Sequence, residues 1–196
     1  MAQTSTTLIS ARSHITSITG TDISLSATAG VYTISATSTV LTGAGKLAVG
    51  DLITVSGSAS NNSTFTVSTV VSTTELTVAQ VVSSENADGS STITLDHVGF
   101  VSDKAKGDGY YSQPDGVHTV AYQVANDFNA NATIKMQGTL ATTPTEDDWF
   151  DIANTTFTAD GSTVTSSYNF TGNYVWVRSK TQLLTAGTTN SILLNH

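Results

Sequence analysis

Apolar and polar positions alternate with a period of two along almost the whole chain, and no convincing 3.6-residue period interrupts them. Over residues 51–56, Ile53 and Val55 alternate with Thr54 and Ser56; over residues 64–71, Phe65 and Val67 alternate with Thr64 and Thr66. The same pattern predicts strands at residues 22–27, 31–41, 75–82 and 91–95. Turn formers separate them: Ala29-Gly30, Gly43-Ala44-Gly45, Asn61-Asn62, Ser72-Thr73-Thr74 and Asp88-Gly89. Strands joined by short turns imply antiparallel pairs in a compact barrel or sandwich. The Asn61-Asn62 pair reads as an exposed hairpin tip, because Asn tolerates the positive φ that such tips often need. Residues 83–90 are polar enough to read as a mobile loop.

Residues 96–116 change character, gathering charges, glycines and Pro114, and read as a connector. A second β region follows, with strands expected at 117–124, 132–140, 148–153, 163–170, 174–180 and 191–195. In the second of these, Ile134, Met136 and Leu140 face one way, while Thr133, Lys135, Gln137 and Thr139 face the other. Tyr174 and Trp176 oppose Val175 and Val177, the pattern of a central sandwich strand covered on both faces. Near the start, Leu8, Ile9, Ile15 and Ile18 could form an edge strand of either half.

Composition narrows the function more than it names one. Charged residues make up only 11% of 196, below the usual quarter or so, and Ser and Thr fill the difference. Thr suits the solvent face of a pleated strand, so the composition reinforces an all-β fold. Fifteen acids against 7 bases give a net charge of −8, which disfavours nucleic acid as a partner. Lys104 and Lys106 are the densest basic pair and flank a loop. Absence of cysteine removes disulfides and thiolate metal sites. No apolar run approaches the roughly 18 residues that would cross a bilayer, and the first residues do not read as a secretory signal. Without such a signal, the sequons at Asn61, Asn62, Asn131, Asn154 and Asn169 are expected to stay unglycosylated.

Candidate chemistry is sparse. His14, His97, His118 and His196 form no metal-binding pattern, and no nucleophile motif occurs. Glu146, Asp147, Asp148 and Asp151 could supply oxygen ligands to a divalent cation. Asp148 and Asp151 could also be read as a glycosidase pair, although neighbours on one short segment cannot readily flank a sugar from both sides. A solvated acidic turn leading into a strand anchored by Trp149 accounts for the run more simply. The aromatic residues could line a carbohydrate-binding face, but they also supply cores and protein interfaces. Trp149 and Trp176 are expected in the core. Tyr110 and Tyr111, in the polar connector, are interface candidates together with Asn61 and Asn62.

The runs GDGYYSQPDGVHTVAYQV, IKMQGTLATTPTEDDWFDI, NFTGNYVWVRSK and SILLNH resemble small virion structural proteins of tailed bacteriophages, especially myophages of marine cyanobacteria. TTLISARSHITS near the start resembles the opening of the same family, whereas VGDLITVSGSASNNSTFTVSTVVSTTELTV is similar to a β module found within many phage structural proteins. Together these resemblances imply an all-β chain with a C-terminal antiparallel β-sandwich over 117–196 and a small, barrel-like β module inserted at 20–97. Residues 1–19 would supply the sandwich's first strand, and 98–116 would connect the two. The resemblance further implies a non-enzymatic virion protein without cofactor, but it does not fix the station on the particle. The acidic charge, sparse chemistry, small size and two β modules favour a decoration or cement protein of the major capsid protein on the capsid surface. Alternatives are a neck, tail or fibre adaptor and, further off, a sugar-binding adhesive module. Expected partners are other virion proteins and a second copy of the chain in a homo-oligomer; nucleic acid and membrane are not expected.

Overall fold

The computed structural model describes residues 5–111, 116–162 and 164–195, and the chain divides into two compact units. One consists of Met1–His14 and Val101–His196, and the other of Ile15–Phe100. Residues 112–115 of the expected connector, Thr163 at the head of an expected strand, and His196 lie outside the described residues. The fold is all-β and antiparallel, as the period-two pattern predicts.

The first unit, the sandwich, begins with β1 (Ser5–Ile9) and β2 (Arg12–Ser13). The second, the β module, holds β3 (Ile18–Gly20), β4 (Ile23–Thr28), β5 (Val31–Ala36), β6 (Asp51–Ser56), β7 (Thr64–Ser72), β8 (Glu75–Val78) and most of β9 (Ile93–Val101). The sandwich resumes with β10 (Ala105–Lys106), β11 (Val117–Val124), β12 (Thr133–Thr139), β13 (Phe150–Asp151), β14 (Phe157–Thr158), β15 (Thr165–Thr171), β16 (Trp176–Gln182) and β17 (Thr188–Asn195). Two 3-10 helical turns, Asp108–Tyr111 and Glu146–Asp148, complete it.

Within the module the strand order is β3-β9-β6-β7-β8-β5-β4, and the two end strands are joined by only residues 21–22. Long β7 makes the curl: Thr64–Thr66 pair with β6, and Val67 onward pairs with β8. Inward residues of every strand therefore meet in one core, including Ile18, Leu25, Ile34, Ile53, Phe65, Leu76 and Leu95. This is an incompletely closed barrel, in which curling buries one face of a sheet without a second layer.

Both ends of the module meet. Ile18–Gly20 pair with Leu95–Ile93, and the Ile15 N–H donates to His97 Nδ1 at 3.3 Å. That bond assigns the ring proton to Nε2, which faces Asp51 Oδ1 at 3.1 Å, with both side chains buried. Residues 15–19 thus belong to the module, although the sequence groups them with residues 1–14. Likewise β9 runs through Val101 and takes in the first six residues, 96–101, of the charged stretch read as a connector. Asp96-His97 looks like a strand end, yet His97 is a core position because Asp51 satisfies it.

In the sandwich, one sheet has the order β1-β17-β11-β15, with β2 also on β17. Ser5, Thr6 and Thr7 register with Asn195, Leu194 and Leu193, so the start of the chain pairs with its end. The other sheet centres on β12 and β16, with β13 and β14 on the outer side of β12 and β10 on β16. Val120, Tyr122, Ile192 and Leu194 of the first sheet and Ile134, Met136 and Val177 of the second are buried. Tyr122 spans the layers, donating its hydroxyl to the Thr155 carbonyl at 2.8 Å and lying 6.4 Å from the Phe157 ring. Its phenol is pushed well above its usual pKa by burial and by neighbouring Tyr168, as expected of a core tyrosine.

Candidate interaction surface

Cross-strand partners in an antiparallel pair share a face, so the register of β10, β16, β12 and β13 maps the outward side of the second sheet. Its first row is Lys106, Trp176 and Thr139; its second is Arg178, Gln137 and Asp151; its third is Lys180 and Lys135. Val177 and Ser179, between them on β16, point inward and are buried. Lys104 reaches the same face, its Nζ 4.4 Å above the Trp176 ring. Hence Lys104, Lys106, Lys135, Arg178 and Lys180 gather here; of the 7 basic residues only Arg12 and Lys46 lie elsewhere. The strand alternation carried this information, but scattered sequence positions hid it.

Part of this charge is neutralised. Arg178 grips Glu146 with both terminal nitrogens at 2.8 and 2.9 Å, donates Nε to Gln137 at 3.0 Å, and stacks on Trp149 at 4.2 Å. Lys135 pairs with Asp151 at 2.5 Å. Lys180 is held below its usual pKa by burial first and then by repulsion from Lys135 and Arg178. Lys104 and Lys106, by contrast, have no ion-pair partner among the described residues.

These two lysines edge an aromatic cluster. The turn Asp108–Tyr111 projects Tyr110 and Tyr111, which are 43% and 53% exposed. Their rings meet edge-on at 5.2 Å, and Tyr110 packs at 4.8 Å against Trp176. Lys106 Nζ sits 4.2 Å from the Tyr110 ring centre and 5.5 Å from that of Tyr111. The turn is tied down: Gly107 and Gly109 donate backbone N–H groups to Val175 and Tyr174, and Asp108 accepts from Gly116 N at 2.7 Å. Asp108 also lies 3.3 Å from buried His118, whose ring stacks on Phe170. Tyr174 needs bare backbone around it. A Cβ on Gly107 would fall 2.4 Å from the Tyr174 carbonyl oxygen, and one on Gly138 would fall 2.6 Å from its ring.

Tyr110 and Tyr111 are therefore exposed, and Trp176 joins them rather than the core expected of it. Its indole N–H explains the position, since it donates to the Thr142 carbonyl at 3.0 Å and keeps one edge polar. Trp149 is also only half buried and forms the bed for Arg178.

The acidic run does not assemble a cation site. Glu146 is taken by Arg178, and Asp151 by Lys135 and Gln137. Burial pushes the Asp151 carboxyl upward, but its two hydrogen-bond donors outweigh this and hold it below the usual range. Asp148 is lowered by the Thr145 N–H and hydroxyl that cap its turn. Asp147 is exposed. No group of three or more His, Asp or Glu positioned for a metal occurs among the described residues.

The Asn61-Asn62 pair likewise lacks the exposed, positive-φ role expected of it. Asn61 is buried, giving Nδ2 to Ser83 O and Glu85 and accepting from Ser83 N at 2.8 Å. Asn62 is exposed, but its amide closes a ring with the backbone of Ser58. Positive φ falls instead on Gly57 (+78°), where a Cβ would lie 2.1 Å from the Thr92 carbonyl oxygen. Glu85 accepts from Ser58, Ala59, Ser60 and Asn61, and these bonds, Ser58 foremost, hold its carboxyl below its usual range. The polar stretch 83–90 is thereby pinned to the tip, with backbone bonds between Glu85 and Leu25 on its other side. An open cleft of ≈ 390 Å³ beside it is lined by Ile23, Ser58, Glu85, Asp88 and Ser91.

No protein-family model matches the chain, and no curated protein shows significant similarity to it.

Proposed function

We propose that the chain is a non-enzymatic structural protein of a tailed-phage virion, a decoration or cement protein bound to the major capsid protein at the outer surface. The observation that carries this reading is the Tyr110–Tyr111–Trp176 cluster with Lys104 and Lys106, left at the surface of the sandwich. Aromatic side chains clustered beside cations are what protein interfaces bury at their energetic centres. The acidic balance supports it by limiting non-specific adhesion. The resemblance of the region from residue 107 onward to small virion proteins supplies the particle.

Quantitative mass spectrometry of purified virions tests the reading through copy number. Hundreds of copies per particle are expected of a decoration protein. A few to a few tens would place the chain in the neck, tail or fibres, and its absence from purified particles would remove it from the virion.

A further inference from the structure

We propose that the outward face of the second sandwich sheet, centred on Tyr110, Tyr111, Trp176, Lys104 and Lys106, docks a carboxylate-bearing surface of a partner protein. The proposal relies on the virion reading only for where that partner resides. Three observations select the occupant.

The first is charge. This face collects five basic side chains of a chain with net charge −8. Glu146 and Asp151 engage Arg178 and Lys135, leaving the Lys104 and Lys106 ammonium groups without a carboxylate among the described residues. A partner's Asp or Glu would complete them, in contacts that strengthen as water is excluded.

The second is ring geometry. A sugar stacks on an open aromatic face, but here the Tyr110 ring has Lys106 over it, and the Trp176 ring has Lys104. The Tyr110 and Tyr111 rings are steeply inclined at 78° and form a knob, not a flat platform. An aromatic knob edged by cations fits an acidic protein surface better than a glycan.

The third is preorganisation. The Asp108–Tyr111 turn is fixed by the bonds of Gly107, Gly109 and Asp108, so the tyrosines need little ordering when they dock.

The test uses the full chain and its tryptophan emission, since both tryptophans lie on this face. Poly-L-glutamate, polygalacturonate and maltohexaose are titrated separately at low salt and at about 0.15 M ionic strength. Poly-L-glutamate is expected to shift the emission, and to bind at least about tenfold more weakly at the higher salt. The variant Lys104→Ala/Lys106→Ala should lose about tenfold or more, Lys104→Arg/Lys106→Arg should retain binding, and Lys46→Ala, in the β module, should match the native chain. The inference is overturned if poly-L-glutamate gives no shift, if polygalacturonate or maltohexaose binds as tightly, or if Lys46→Ala weakens binding as much as the paired alanines. Sedimentation that shows salt-reversible self-association, lost in Lys104→Ala/Lys106→Ala, would assign the face to a second copy and also overturn it. If poly-L-glutamate fails while the chain is abundant on particles, this inference falls and the virion reading stands. Binding by a chain absent from particles separates them the other way.

Discussion

In the β module, side chains from all seven strands converge on one largely aliphatic core that holds Phe65, with Tyr32 packed against it, and much of its polar bonding ties down the loop tip. In the sandwich, Tyr122, Phe128, Phe157 and Phe170 enter the core, and a charged, aromatic network covers one outward face. The contrast follows from layer geometry. A curled sheet buries one face against itself and leaves the other to Thr and Ser, whereas a sheet in a two-layer stack has an extended outer face available for recognition. One unit turns its apolar side chains onto its own core, and the other also carries a charged, aromatic outer face.

The strongest test of this contrast is to empty part of the module core. Ile53 is fully buried, and Ile53→Ala should cost about 2–5 kcal/mol of module stability. Both tryptophans lie in the sandwich, so their emission reports that unit, whereas far-UV circular dichroism reports both. The expected outcome is an early melting transition in circular dichroism with the tryptophan transition unmoved. Equal movement of both would show that the two units unfold together.

A smaller effect is expected on the sandwich side. Gly138→Ala places a Cβ 2.6 Å from the Tyr174 ring, and overpacking of this kind costs about 1–3 kcal/mol. Because Tyr174 O accepts the Gly109 N–H, displacing this residue should also loosen the turn carrying Tyr110 and Tyr111. Tryptophan-detected melting should fall while the module transition stays in place. Retention of native stability would mean that the ring has room to move.

Strand positions were largely legible from alternation, and β6 and β11 match their expected bounds. The failures have physical reasons. The strand expected at 31–41 stops at Ala36, because Asp22 draws in the Ser38 and Thr39 backbone N–H groups and turns the chain away; Leu41 still reaches the core from the loop. The strand expected at 148–153 shrinks to Phe150–Asp151, because Thr145 and Asp148 cap a helical turn just before it. Leu140 shares the parity of Ile134 and Met136 but lies beyond the end of β12 and is exposed. At the surface, Tyr110 and Tyr111 could be found from their polar surroundings. Their partners could not, because Lys106, Trp176 and Thr139 form a row only after three strands fix their register. Asn61 misled because a polar residue at a loop tip resembles a solvated one until Ser83 and Glu85 are brought to it.

The smallest expected effect is on acid stability, and it again separates the units. Glu85 is lowered by bonds from Ser58, Ala59 and Asn61; Asp22 is lowered most by Thr39, and Asp88 most by Ser91. A carboxylate whose folded pKa lies below its unfolded value stabilises the fold at pH above the unfolded value. That contribution disappears as pH falls through the folded pKa. Unfolded Asp and Glu titrate near about 4, so the module should lose stability progressively from there downward. Glu85→Gln removes one of these ionisations, so the module transition of this variant should fall less steeply between pH 5 and pH 3, taken as about one unit either side of that value. The sandwich has its own lowered carboxylates, Asp148 and Asp151, which the substitution leaves in place. Its tryptophan-detected transition should therefore keep the native pH dependence, and an equal change in both transitions would refute the assignment of this acid sensitivity to the clamped tip of the module.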